Sequence, residues 1–160
     1  MRRIAVAGLA LLASTVASAS QQVPRFASLK SDQVVMRQAP GKDAPALWTF
    51  HQIGWPVEVL RESGGYAEVR DSDGSVGWVS TGHLSGRRTA IVLAPPTVPA
   101  RVVLRVDGNG SARAAAELEG GLQAVIVGCD GRWCRLAIGE VKGWIEQSRL
   151  WGVYAGERIE

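Results

Sequence analysis

The chain is poor in the side chains that most enzymes rely on. It holds two histidines, His51 and His83, and two cysteines, Cys129 and Cys134. Ser80, Thr81 and Ser85 lie near His83, but nearness in sequence makes no triad without geometry. Both histidines read as loop residues without a chemical role. Cys134 has no histidine in its own half of the chain to act as a base. Two cysteines without a nearby histidine make a poor metal site. No phosphate-cradling glycine loop occurs. Asp71-Ser72-Asp73-Gly74 has the composition of a turn first and of a calcium-loop fragment second. The sequence therefore predicts no catalytic residue, no metal and no cofactor.

Long apolar runs are equally scarce. The longest, Ile4 to Ala13, is too short to cross a bilayer. It follows Met1-Arg2-Arg3 and precedes Ala17-Ser18-Ala19, the order of a secretory signal peptide over residues 1–19 cleaved after Ala19. The chain is thus expected in a periplasm or outside the cell, with no integral membrane segment after cleavage. Clustered basic charge is also missing. Removing residues 1–19 takes away Arg2 and Arg3 and no acid, so 16 bases face 15 acids, a net charge of +1. Arg87-Arg88 is the nearest approach to a basic patch, so no nucleic-acid surface is expected.

Export permits a disulfide. Cys129 and Cys134 flank Asp130-Gly131, a hairpin turn signal. A short loop there sets the two cysteines opposite each other on adjacent strands, a separation that a disulfide can bridge. A metal pair or a reactive thiol is the alternative, and the disulfide is the favoured reading.

What the chain does have is a repeat. Gly54-Trp55-Pro56-Val57-Glu58-Val59-Leu60, Gly65-Tyr66-Ala67-Glu68-Val69-Arg70 and Gly77-Trp78-Val79 run through one half. Gly121-Leu122-Gln123-Ala124-Val125-Ile126-Val127, Arg132-Trp133-Cys134-Arg135-Leu136 and Gly143-Trp144-Ile145 run through the other. Laying Gly54 on Gly121 puts Val57 on Ala124, Val59 on Ile126, Tyr66 on Trp133 and Val69 on Leu136. One deletion then puts Trp78 on Trp144 and Leu84 on Leu150. A unit written twice must be recognised before any local assignment is made.

Short β-rich runs, punctuated by Gly, Pro and Asp every few residues, predict an all-β fold. They place a first unit at 24–93, a proline-rich linker at 94–100 and a second unit at 101–154. Residues 155–160 read as a loose tail. Ser111 to Glu119 poses a conflict, because its alanines favour a helix while the repeat aligns it with the strand-like Ala46 to Phe50. The repeat takes precedence for Ala115 to Leu118, since tertiary context overrides propensity.

Val35-Met36-Arg37, Pro40-Gly41, Gly54 to Val59, Tyr66 to Val69 and Gly77-Trp78-Val79 come in an order that resembles the bacterial SH3-like (SH3b) domain family. Val103-Leu104-Arg105, Gly121 to Ile126, Trp133 to Leu136 and Gly143-Trp144-Ile145 repeat that order, without the Pro-Gly loop. The resemblance implies two tandem small SH3-like barrels, in the manner of small exported two-domain proteins. Each would hold about 60 residues and be marginal alone, so a shared interface is expected, with tryptophans supplying much of the core. The resemblance also implies a groove lined with aromatics. Trp48, Trp55, Tyr66 and Trp78 are candidates in the first copy, and Trp133, Trp144 and Trp151 in the second. Trp55, between Gly54 and Pro56, is expected to be the most exposed. A non-catalytic binding module of the cell envelope follows, with peptidoglycan peptide or glycan as partner. A periplasmic protein held by both barrels is the alternative.

Overall fold

The computed structural model describes residues 22–96 and 101–160. The residues read as a signal peptide, with the Ala19 cleavage site, lie outside them. The first half gives β1 (Arg25–Leu29), β2 (Val34–Arg37), β3 (Ala46–Phe50), β4 (Pro56–Ser63), β5 (Tyr66–Arg70), β6 (Val76–Ser80) and β7 (Leu84–Ser85). The second gives β8 (Thr89–Val92), β9 (Arg101–Arg105), β10 (Ala114–Glu119), β11 (Gln123–Asp130), β12 (Trp133–Ile138), β13 (Val141–Glu146) and β14 (Leu150–Trp151), with β15 (Arg158–Ile159) added to β11. A single 3₁₀ turn precedes β7 at Thr81–His83, and another precedes β14 at Gln147–Arg149.

The strands form two antiparallel sheets of the same plan. One is ordered β3-β2-β6-β5-β4-β1-β7 and the other β10-β9-β13-β12-β11-β8-β14. The repeat holds at the level of individual pairs. Val59 faces Val69 as Ile126 faces Leu136. Glu68 faces Trp78 as Arg135 faces Trp144. Leu29 faces Leu84 as Val92 faces Leu150.

Packing explains the repeated Gly-Trp. Where β6 meets β2, a Cβ on Gly77 would lie 2.9 Å from the Arg37 carbonyl oxygen and 2.6 Å from Met36 Cγ. Where β13 meets β9, a Cβ on Gly143 would lie 2.6 Å from the Arg105 carbonyl oxygen. Glycine is required at both crossings because two backbones approach closely. The two units also share a bond that ties β2 and β9 to the loops that follow them. Arg37 Nη1 donates to the Ala44 carbonyl and Arg105 Nη1 to the Ala112 carbonyl, both at 2.7 Å.

The alanine-rich segment is strand β10, as the repeat requires. It pairs with β9, and Leu118 turns into the core opposite Val102. Other expectations are corrected. β8 lies in the segment assigned to the first unit, yet it pairs with β11 and β14 of the second sheet. It is the counterpart of β1, which pairs with β4 and β7. The proline-rich stretch from Ala94 therefore leads from β8 to β9 within the second sheet and does not link the units; its residues 97–100 lie outside the described residues. The units are joined instead by Gly86, Arg87 and Arg88. Nor is the C-terminus loose. Cys129 and Asp130 of β11 pair with Ile159 and Arg158, and Gln147 Nε2 donates to the Glu157 carbonyl at 2.8 Å.

The cores are mainly aliphatic, with Phe50 the aromatic member of the first. Leu29, Val34, Met36, Val57, Val59 and Val69 centre the first, and Val92, Leu104, Ile126, Leu136, Ile145 and Leu150 the second. Tryptophans do not supply them. Trp55 packs on the rim of the first core, while Trp78 and Trp133 are buried outside both clusters. Cys129 and Cys134 face each other across β11 and β12 and form a disulfide, with Cα atoms 4.1 Å apart.

The units share an interface. The Phe26 ring lies 5.1 Å from that of Trp151 and 4.7 Å from that of Tyr154, centroid to centroid. Thr89 Oγ1 donates to the Gly54 carbonyl at 2.7 Å, and Gln123 Nε2 to the Ile53 carbonyl at 3.1 Å. Gly54 adopts φ +78°, which favours glycine, and Gln123 fills the space a side chain there would occupy.

Candidate functional site

A groove on the first barrel is the best-formed aromatic surface. It lies between β3, the start of β4 and the β5–β6 turn. A cavity of about 450 Å³ is lined by Leu47, Trp48, Phe50, Trp55, Asp71 and Asp73, with Met36, Ser75 and Val76 completing it. A shallower one of about 250 Å³ continues past Trp48 and Trp55 to His51 and Gln52. Trp48 is 59 % exposed. It stands on β3, which ends the sheet and pairs with β2, Trp48 facing Met36. On this end strand Phe50 turns into the core, while Leu47 and Trp48 are left exposed. Trp55, expected to be the most exposed, is only half-exposed because its ring packs on the core rim. Both rings line the groove, whereas the aromatic pairs in contact are Phe26 with Trp151 and with Tyr154.

The acidic end of the groove is fixed by its own turn. Asp71 Oδ1 accepts the backbone N–H of Asp73 at 3.0 Å and of Ser75 at 2.9 Å. The turn reading of this segment is thus correct, and the same two carboxylates also line the cavity. Sequence reasoning missed that role, along with Leu47, Phe50 and Val76. The signal available was an uncharged apolar run, Ala46 to Phe50, followed by a short acidic turn, but nothing local tells that β3 ends the sheet.

The remaining aromatic candidates do not join this groove. Trp78 is buried, and the Arg61 guanidinium lies 4.9 Å from its ring centroid. Arg61 in turn bonds Glu68, which holds the Glu68 carboxyl below its ordinary value and the guanidinium above its own. Tyr66 is half-buried on β5. Trp151 is spent on the interface through Phe26. Trp144 lies over Gly108, whose Cβ would fall 3.2 Å from its ring. Trp133, buried, contributes to a separate cavity of about 350 Å³ beside Arg101, Arg105 and Arg149.

Register shows that the groove is not duplicated. Trp48 faces Met36, and its counterpart facing Leu104 is Ala116. Counting from Gly54 on Gly121 and from Val69 on Leu136, Trp55 becomes Leu122 and Asp71 becomes Ile138. The second barrel has the same frame without the aromatic lining, and its shorter β12–β13 turn keeps one acid, Glu140.

Ser31 Oγ and His83 Nδ1 are hydrogen-bonded at 3.1 Å, and the Lys30 N–H donates to the His83 carbonyl at 2.9 Å. Together these bonds tie the β1–β2 loop to the 3₁₀ turn. Among the described residues no hydrogen bond links His83 to a carboxylate, so the pair lacks the orienting third group of a hydrolytic triad.

Two matched segments decide the family. Residues 30–86 and 98–152 each fit the bacterial SH3 domain. The chain belongs to the bacterial SH3 domain family. Its two SH3 domains account for both sheets, with β1 and β8 ahead of the matched segments and β15 beyond the second. No curated protein matches the chain. Among solved structures, NlpC1 from Trichomonas vaginalis is 16% identical over 89% of this chain and 51% of its own, with a TM-score of 0.36. NlpC2 from the same organism is 16% identical over 82% of this chain and 49% of its own, with a TM-score of 0.37. An NlpC/P60 family protein from Bacillus cereus is 11% identical over 79% of this chain and 55% of its own, with a TM-score of 0.34. The chain spans about half the length of each of these structures.

Proposed function

We propose that this protein is a non-catalytic binding module of the cell envelope, exported by residues 1–19, that holds cell-wall material in the groove of its first SH3 domain. Bacterial SH3 domains are cell-wall binding modules, which supports this class of ligand. The observation that carries the reading is Trp48, a large aromatic side chain left 59 % exposed beside a cavity on the end of a sheet. Exposed apolar surface next to a concave site marks binding. The disulfide between Cys129 and Cys134 supports an oxidising compartment outside the cytoplasm. The second domain serves as a structural partner, since its matching positions are Ala116, Leu122 and Ile138.

Co-sedimentation with purified sacculi tests the reading. The mature protein is expected in the pellet, and Trp48→Ala is expected to weaken binding at least about ten-fold, as for an aromatic anchor. Trp48 is exposed, so its removal leaves the core intact. Wild-type protein that stays wholly in the supernatant would overturn the reading.

A further inference from the structure

The lining of the groove and the edge beside it narrow the ligand further. β3 and β10 occupy the same place at the end of their sheets. Such an edge presents unpaired backbone groups, and proteins guard it with charge. β10 is guarded. It carries Glu117 and Glu119, and Glu117 is bonded by Arg101 at 2.9 Å. β3 is Ala46-Leu47-Trp48-Thr49-Phe50, with no charge and with Ala46, Leu47 and Trp48 exposed. An unguarded edge in one copy, where the other copy is guarded, marks a place where another strand is added.

The charge that lines the cavity has one sign. Asp71 and Asp73 line the cavity, and no lysine or arginine does. Asp71 Oδ1 is engaged by its own turn, while Oδ2 carries no hydrogen bond among the described residues. Two carboxylates that line one cavity with two indole rings suit a cation, through charge and through attraction to the rings. A glycan has no backbone N–H and C=O ladder to pair along the β3 edge, whereas an extended peptide does.

We infer that the groove takes an extended cell-wall peptide bearing a free ammonium group, paired along the β3 edge with the ammonium between Trp48, Trp55 and the Asp71–Asp73 turn. This rests on the cell-wall reading above and selects peptide over glycan.

The test compares three preparations: untreated sacculi, sacculi with free amines acetylated, and glycan strands stripped of peptide. Asp71→Asn/Asp73→Asn is carried alongside, because asparagine keeps the Oδ1 acceptor of the turn while the charge is lost. A matched thermal melt confirms that the variant folds. Binding to untreated sacculi is expected to fall roughly ten-fold on acetylation, to be missing with bare glycan, and to fall about three- to ten-fold in the double variant. The wild-type interaction is expected to weaken with added salt. Binding that survives acetylation, or that persists on bare glycan, would overturn this inference while leaving the cell-wall reading standing. Wild type that ignores untreated sacculi but binds a soluble lysine-bearing polypeptide would overturn both and assign the groove to a protein tail.

Discussion

Tyr154 donates its hydroxyl to Glu58 Oε1 at 2.9 Å, across 96 positions of sequence and from the second barrel to the first. Glu58 is buried, 6 % exposed, and its other oxygen accepts from Arg70 Nε at 2.9 Å. A buried carboxylate must be bonded to be tolerated, so the interface and the fold of the first barrel depend on the same group. Burial raises the Tyr154 hydroxyl above its ordinary value, and the bond to Glu58 raises it further. A group raised in the folded chain adds stability that is complete below its unfolded value and is lost as pH rises past it. Stability should therefore fall above about pH 10, where free tyrosine ionises. Tyr154→Phe should cost about 1.5 kcal/mol at neutral pH and flatten the alkaline decline, as thermal melts from neutral pH into the alkaline range would read. An unchanged alkaline slope in the variant would remove Tyr154 as the cause.

The acid side is set by other carboxylates. Burial pushes the Glu157 carboxyl up, but hydrogen bonds from Arg88 and from the Tyr154 N–H outweigh it and leave it lowered. The N–H groups of Trp133 and Arg132 lower Asp130. The folded state then binds fewer protons than the unfolded chain in the carboxylate range. Stability from both groups is present above their unfolded values and is lost as pH falls through the lowered ones. Glu157→Gln should lower stability at neutral pH and make the acid limb shallower. Urea midpoints measured at descending pH would show two parallel limbs if Glu157 plays no part.

Gly77→Ala and Gly143→Ala should each cost about 1–3 kcal/mol, because the new methyl meets backbone. The second should cost more, since its Cβ would lie 2.6 Å from a carbonyl oxygen against 2.9 Å in the first. Equilibrium denaturation ranks them, and a neutral Gly143→Ala would contradict the close approach of β13 to β9.

The Cys129–Cys134 bridge closes a loop with a sequence separation of 5. Short loops give the lower end of the usual gain, so replacing both cysteines by alanine should cost about 2 kcal/mol. Denaturation with and without reductant measures it. Reductant should shift wild type and leave the double variant unmoved.

Much of the fold was legible because the repeat fixes register. Laying Gly54 on Gly121 matches Val59 to Ile126, Val69 to Leu136 and Trp78 to Trp144, which hold equivalent places in the two sheets, and it sets the alanine-rich β10 against β3 as a strand. The strands that open each barrel were not legible as such. Arg25-Phe26-Ala27-Ser28-Leu29 and Thr89-Ala90-Ile91-Val92 share little sequence, and β8 stands beside β7 in the chain while pairing away from it. The small size of each unit calls for a shared interface, but Phe26, Tyr154 and Gln123 meet across distances no local pattern encodes. Of the aromatic candidates, Trp48 and Trp55 come together. Their exposure depends on which strand ends the sheet, and that is decided by pairing along the whole chain.

The join between β7 and β8 is Gly86-Arg87-Arg88, and Arg88 is already held, Nη2 to the Glu157 carboxylate at 3.0 Å and to the Gly152 carbonyl at 2.9 Å. So short a splice leaves no slack for the halves to tumble apart, and a protease finds little tether to cut. The pair should travel, unfold and resist digestion as one piece, unlike beads on a string.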